Sequence, residues 1–433
     1  MSIQAQTQEQ EEKKIREKLT QATSVNNFLK PLKSFLEEEG ITEIAFNNPS
    51  SHTIFVEKYG RWEEREFKIQ PLEELVKVKS TKTFVAEDKN ALLDGVLANE
   101  FMHRKKAQKV VSRVQEKKTD EYVITDEEQT KLNLEAINNL GRAVAAFNDN
   151  DFSEAFPILS AVLPNGERCQ FVRHPAVPKG KISMTIRRPS LEVRTMDSYI
   201  QQGFFNEVHP VTEERDGDAE LLDLYGNFFN TSPAKEELIS IRTKFLQRAV
   251  ELGRTIVIAG STGSGKTTFM KTLMQSIPRE DRIITIEDCP ELVYGLPYHH
   301  NQVNLLYPSE ATDASVVNAS KLMKSCLRMK PDRILLAELR GAETFDWINS
   351  VLSGHAGSIT SCHATNCTAV FDYLALKVAQ NPNASGYSKN DILTLLDSVI
   401  DIIVHIHNEH GNRHITEVYF KTSRYKKKPG TNK

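Results

Sequence analysis

The sequence predicts two α/β units in tandem: an α+β domain, then an α/β domain with a parallel-rich sheet that carries a phosphate-binding loop. Three observations lead there. The chain has 433 residues, more than the about 100–200 of a single domain. Strand-like alternation, punctuated by Pro164-Asn165-Gly166, occupies the first half around residues 41–58 and 158–187. Past residue 235, apolar strands alternate with helical segments, the pattern of a parallel sheet with helices on its faces.

Residues 1–22 are rich in Gln, Glu and Lys, lack aromatics, and read as a polar tail, a solvated helix or loose end. The first domain, 23–199, opens with Phe28, Leu29, Leu32, Phe35 and Leu36 at helical spacing, after which TEIAFNN and HTIFVEKYG alternate as strands. A charged insertion covers about 68–130. Its middle, FMHRKKAQKVVSRVQEKK, has seven basic residues against one acid, and as a helix it sets Val110, Val111 and Val114 in a narrow apolar stripe. It reads as a solvated surface helix; such a helix also suits an anionic lipid surface. LNLEAINNLGRAVAAF returns to packed helix. ILSAVL and RCQFVR then form a hairpin, because Asn-Gly tolerates positive φ. In KISMTIRR, Ile182, Met184 and Ile186 share one face while Ser183, Thr185 and Arg187 share the other. Residues 200–235, with ERDGD and NTSPAK, read as a linker, and 236–433 as the second domain.

Composition excludes several classes. Lys and Arg total 55 against 58 Asp and Glu, so the net charge is −3, without the basic excess of a dedicated nucleic-acid binder. Five cysteines without a CxxC pair indicate neither a disulfide framework nor a tetracysteine zinc module. No apolar run approaches the about 18 residues of a membrane span, and the N-terminus lacks a signal-peptide core. The expectation is a cytoplasmic protein whose membrane contact is peripheral.

The decisive motif is TIVIAGSTGSGKTTFMKTLM. An apolar strand runs into Gly260, Ser261, Thr262, Gly263, Ser264, Gly265, Lys266, Thr267 and Thr268, and then into a helix, which satisfies G-x-x-x-x-G-K-[ST] in its required setting. Glycines let the backbone turn its N–H groups onto phosphates, and the helix presents its positive end to the same anion. Lys266 reaches the β- and γ-phosphates, and the Thr267 hydroxyl binds Mg²⁺, which points to ATP and Mg²⁺ as cofactors. Two further strands end in acids: RIITIEDCPEL at Glu287 and RILLAELRG at Glu338, with Arg340 just past it. Ligands of parallel sheets lie beyond the carboxyl ends of the strands, where these acids hold Mg²⁺ or orient water. In SGHAGSITSCHATNCTAV, His363 ends a strand. It suits either a γ-phosphate sensor or, with His355, Cys362 and Cys367, a metal site lacking familiar zinc spacing.

Together GSTGSGKTT, TIEDCPEL, ILLAELRGAE and SGHAGSITSCHATN resemble the ATPases that power type II and type IV secretion and type IV pili. Within that superfamily the chain is similar to the hexameric ATPase of VirB-type type IV secretion systems, as TEIAFNNP, LPNGERCQFVRHPAV and KISMTIRRPS also suggest. The resemblance covers about 25–67 and 132–420, although the 68–130 insertion and the 200–235 linker are longer than the family leads one to expect. It implies a RecA-like fold for the second domain, Mg-dependent ATP hydrolysis, a hexameric homo-oligomer, and other type IV secretion components at the inner membrane as partners. It also implies that Lys266 and Thr267 are Walker A residues, that Glu287 and Glu338 belong to the Asp box and Walker B strand, and that His363 is the His-box histidine. Arg168, Arg173, Arg187 and Arg188 match arginine-bearing strands that reach the nucleotide in this family. The strand reading favours Arg168 and Arg187 among them, on polar faces beside Cys169 and Ile186. Two other readings remain open from the residues: a RecA-like nucleic-acid motor with 101–118 as its contact, and an assembly hub that binds ATP with little turnover.

Overall fold

The structure is a computed structural model that describes residues 3–47, 53–66, 133–189, 194–208, 214–230, 232–312 and 314–425. The insertion 68–130, with its basic segment 101–118, lies outside them. The chain divides into two compact units, Met1–Pro189 and Ser190–Lys433.

In the first unit the described strands form one antiparallel sheet ordered β3-β2-β1-β6-β5-β4. These are β1 (Ile41–Phe46), β2 (Thr53–Lys58), β3 (Arg61–Glu66), β4 (Ile158–Val162), β5 (Arg168–Arg173) and β6 (Ile182–Arg187). The turn between β4 and β5 closes with the Gly166 N–H on the Leu163 carbonyl at 2.9 Å, and Gly166 has φ +96°, a conformation that favours glycine. Ile182, Met184 and Ile186 point into the core beside Phe171 and Cys169. Helix Leu134–Phe147, capped by the Asn133 side chain, packs Ile137, Leu140 and Val144 onto that face.

The polar tail is corrected by this core. A helix spans Ile3–Leu29, and Ile15, Ala22, Val25 and Leu29 on it are buried. Lys18 donates to the Phe147 carbonyl at 2.7 Å and to Asp149 at 2.8 Å. A narrow stripe at three- and four-residue spacing is enough to dock a helix onto another, even when mean composition is polar.

In the second unit the sheet order is β13-β12-β7-β11-β10-β8-β9. The strands are β7 (Ile256–Gly260), β8 (Ile283–Glu287), β9 (Gln302–Leu306), β10 (Arg333–Leu336), β11 (Ile359–Cys362), β12 (Ile402–Glu409) and β13 (Asn412–Phe420). From β12 to β9 every neighbouring pair is parallel, and β13 closes the edge antiparallel to β12. Strands β7, β8, β10 and β11 are buried throughout, which is why they read as unbroken apolar runs.

The segment 200–235, read as a linker, contains helix Asp218–Phe228. Its Leu221, Leu224 and Phe228 join Phe245 and Phe420 in the core of the second unit, each contributing about 1.5–3 kcal/mol by burial. Tyr225 stacks among them and donates its hydroxyl to the Val418 carbonyl at 2.8 Å. The charged and turn-rich flanks hid these apolar positions. Among the described residues no helix is long and apolar enough to cross a membrane.

Candidate functional site

The loop 261–265 leaves β7 at its carboxyl end and enters helix Lys266–Met274. Gly263 and Gly265 take φ of +74° and +92°, and a Cβ on Gly260 would lie 2.4 Å from the Ile406 carbonyl oxygen. These positions demand glycine for conformation or for space. No side chain caps the helix start, so its first N–H groups and positive dipole end are left for an anion. Ser264 is buried and, among the described residues, its hydroxyl has no hydrogen-bond partner. A polyphosphate with its cation fits such a cradle.

Lys266 is the hub. Its ammonium donates to the carbonyls of Gly260 at 3.1 Å and Ser261 at 3.0 Å, and sits 3.3 Å from His363 Nδ1. His363 Nε2 lies 2.9 Å from Glu338 Oε1. An ammonium can only donate, so Nδ1 accepts, and the ring proton therefore sits on Nε2 and is given to the carboxylate. Three strands thus deliver Lys266, His363 and Glu338 into one hydrogen-bonded row: β7 through the loop, β11 and β10. Burial lowers the Lys266 pKa from its ordinary value, opposed by the Glu338 charge. Thr267 is half-buried and Thr268 exposed in the first turn of the helix.

The second acid behaves differently. Glu287 is fully buried. Its Oε2 accepts from the N–H groups of Glu291 at 2.8 Å and Leu292 at 2.6 Å, and its Oε1 from Val293 at 3.0 Å. Burial raises its pKa while these bonds pull it down. Both Glu287 oxygens are thus engaged by the turn that follows β8, an arrangement that suits a buried anchor. Replacing Glu287 with Gln sets an amide NH₂ against a backbone N–H. We expect a loss of about 2 kcal/mol, a fall of about 4–8 °C in the unfolding midpoint. A variant that melts like the parent and yet has lost turnover would return Glu287 to the chemistry.

The neighbouring Asp288 faces outward. It accepts from Arg340 and from the Ser309 hydroxyl, 2.8 Å away. Burial pushes Asp288 up, but these donors hold it below the usual carboxylate range. Burial pushes Tyr307, which also hydrogen-bonds Arg340, up to about 12. Sequence reading missed this cluster; the signal was the strand alternation that turns Glu287 inward and Asp288 outward.

His355 donates from Nδ1 to the Pro331 carbonyl, 3.0 Å away. Cys362 is buried with its thiol pushed up to about 12, and the Cys367 thiol meets the Ile403 carbonyl at 3.6 Å. With His363 committed to Lys266 and Glu338, the alternative metal set is not assembled.

In the first unit, Arg188 donates to the carbonyls of Glu38 at 2.7 Å and Ile41 at 3.0 Å. Arg173 lies over the Phe152 ring at 5.6 Å, with Glu154 4.0 Å away. Arg187 pairs with the buried Glu43 at 3.4 Å. Arg168 stands directly across from Arg187 in the β5–β6 ladder, next to the core pair Cys169 and Ile186. It is exposed, and among the described residues its side chain has no partner. Like charges set opposite each other repel, so this face favours an anion.

Residues 236–422 match the family described as Type II/IV secretion system protein. The chain is 40% identical over 409 residues to the type IV secretion system protein VirB11 of Brucella abortus biovar 1 (strain 9-941), covering 92% of this chain and 90% of that protein. The chain belongs to the VirB11 family of type IV secretion ATPases. The VirB11 of Bartonella henselae is 38% identical over 305 residues, covering 68% of this chain and 82% of its own length. The crystal structure of the VirB11 ATPase from the Brucella suis type IV secretion system, in complex with sulphate, is 39% identical with a TM-score of 0.70, covering 94% of this chain and 98% of that one. VirB11 membership makes this chain an ATPase and does not favour the nucleic-acid motor or the assembly hub.

Proposed function

We propose that this ATPase powers substrate translocation, pilus assembly or both in a type IV secretion system, as a hexameric ring lying against the cytoplasmic side of the inner membrane. The relatives' names support the system. The observation that carries the chemistry is the row Lys266–His363–Glu338 at the end of the phosphate loop. ATP rests on Gly260, Ser261, Thr262, Gly263, Ser264, Gly265 and Thr268, with Lys266 moving from the loop carbonyls to the β- and γ-phosphates. Thr267 and Glu338 are the side chains that would hold Mg²⁺, which would supply charge neutralisation at the phosphate oxygens. Glu338 orients the attacking water, and His363 links that carboxylate to the ammonium. We assign Arg168 to neutralising developing charge, because Arg173, Arg187 and Arg188 each hold partners within the first unit. The first unit, Met1–Pro189, is read as the capping domain and 236–433, within the second, as the motor domain.

The test is ATPase rate against protein concentration, with light scattering for mass and with or without DNA. The reading requires specific activity to rise as a species near six chains forms, indifferent to DNA. Full turnover by a monomer, or turnover that depends on DNA, overturns it.

A further inference from the structure

The hairpin of β12 and β13 meets the phosphate loop from the side opposite the chemistry. Strand β7 lies between β11 and β12, and His363 and Glu338 follow β11 and β10. A nucleotide laid on the loop with its terminal phosphate toward those groups extends its α-phosphate, ribose and base toward β12 and β13. Asn408 in that hairpin donates its side-chain amide to the Gly263 carbonyl at 3.3 Å. Arg413 crosses Gly265 so closely that a Cβ there would lie 3.2 Å from its Cδ and 3.6 Å from its Nε. The absence of a side chain at Gly265 therefore makes room for this arginine as well as for the positive φ. Arg413 is exposed, and among the described residues its guanidinium has no ion pair or hydrogen bond. Glu409, in the same hairpin, stands across from Asn412 in the β12–β13 ladder. A cavity of about 320 Å³ opens along the same strand, lined in part by Phe269, Thr272 and Ile415, one helical turn beyond Gly265.

We propose that Arg413 binds the α-phosphate of the nucleotide and that the hairpin tip, pinned by Asn408, forms the wall of the site on its base side. The proposal rests on the nucleotide reading of the phosphate loop. A guanidinium held over the loop without a partner supplies a charge-assisted bond to a phosphate oxygen that Lys266, occupied with the β- and γ-phosphates, does not reach. The α-phosphate carries the same charge before and after γ-transfer, so this contact is uniform binding.

The experiment measures calorimetric affinity for ADP and for ATP, together with KM and kcat, for the parent chain, Arg413→Ala and Arg413→Lys. In Arg413→Ala both affinities weaken by about tenfold and KM rises to match, while kcat at saturating ATP stays near the parent value; Arg413→Lys retains most of the affinity. Unchanged affinity and KM in Arg413→Ala overturn the proposal, as does a fall in kcat with KM unmoved, which would put the arginine at the γ-phosphate. If the parent chain itself binds neither ADP nor ATP, the nucleotide reading fails first, a result distinct from an indifferent Arg413.

Discussion

Glu338→Gln leaves ATP bound and stops its hydrolysis. We expect kcat to fall by about 10²–10⁴, the range a positioned acid–base group supplies, with the dissociation constant for ATP little changed. The geometry explains why the two separate. His363 Nε2 is 2.9 Å from Glu338 Oε1, and a glutamine oxygen accepts that proton as a carboxylate does. The row from Lys266 through His363 therefore survives, and nucleotide contacts with it. What is lost is the negative charge that orients and polarises water at the second oxygen. Single-turnover hydrolysis with equilibrium binding measured in parallel decides the matter. Persistent turnover would remove Glu338 from its role, and joint loss of binding and turnover would make holding the nucleotide through Mg²⁺, rather than orienting water, its main task.

Lys266→Met weakens nucleotide binding without unfolding the chain. Lys266 is 7% exposed, and burial depresses its pKa, so before nucleotide arrives the charge costs stability. Methionine fills the space of the stem. The apo unfolding midpoint should hold near the parent value, while the stabilisation by ADP or ATP disappears and affinity weakens by about 10–100-fold. The pH dependence follows from the same shift. In the apo protein the cost of the buried charge is present below the depressed pKa and is relieved as pH rises through it. Bound phosphates restore the charged form, so above that pKa binding takes up a proton, and affinity falls as pH rises toward the ordinary lysine value. Calorimetry across alkaline pH shows the slope in the parent and its absence in Lys266→Met. A parent affinity that is flat with pH would contradict the argument.

Much of the site was legible because its requirements are local. A phosphate loop needs glycines at positions of positive φ or close approach, a lysine and a hydroxyl at fixed offsets, and a strand before and a helix after. Gly263, Gly265 and Lys266 meet those needs within one short segment. The β4–β5 turn was legible for the same reason, since Gly166 answers to its own backbone. The strand tips were legible as a set, because buried parallel strands read as apolar runs that end where water begins.

Which tip carboxylate is left free of the backbone was decided elsewhere. Glu287 and Glu338 look alike in sequence, yet one is consumed by the N–H groups of residues 291–293 and the other meets His363. That difference depends on how the chain turns after β8 and on which strand lies beside β11. Helix Asp218–Phe228 and the N-terminal helix were masked by polar composition, because a stripe of three or four apolar residues gains its stability only from the surface it meets. Asn408 reaches Gly263 and Arg413 reaches Gly265 across more than 140 positions of sequence. No local pattern announces that approach; it exists because β12 pairs with β7. By itself the sequence determined the loop, the strand–helix alternation and the family, all set by backbone conformation and burial over a few residues. Only the tertiary structure decided which carboxylate is available and what flanks the loop, because pairing of distant strands sets those contacts.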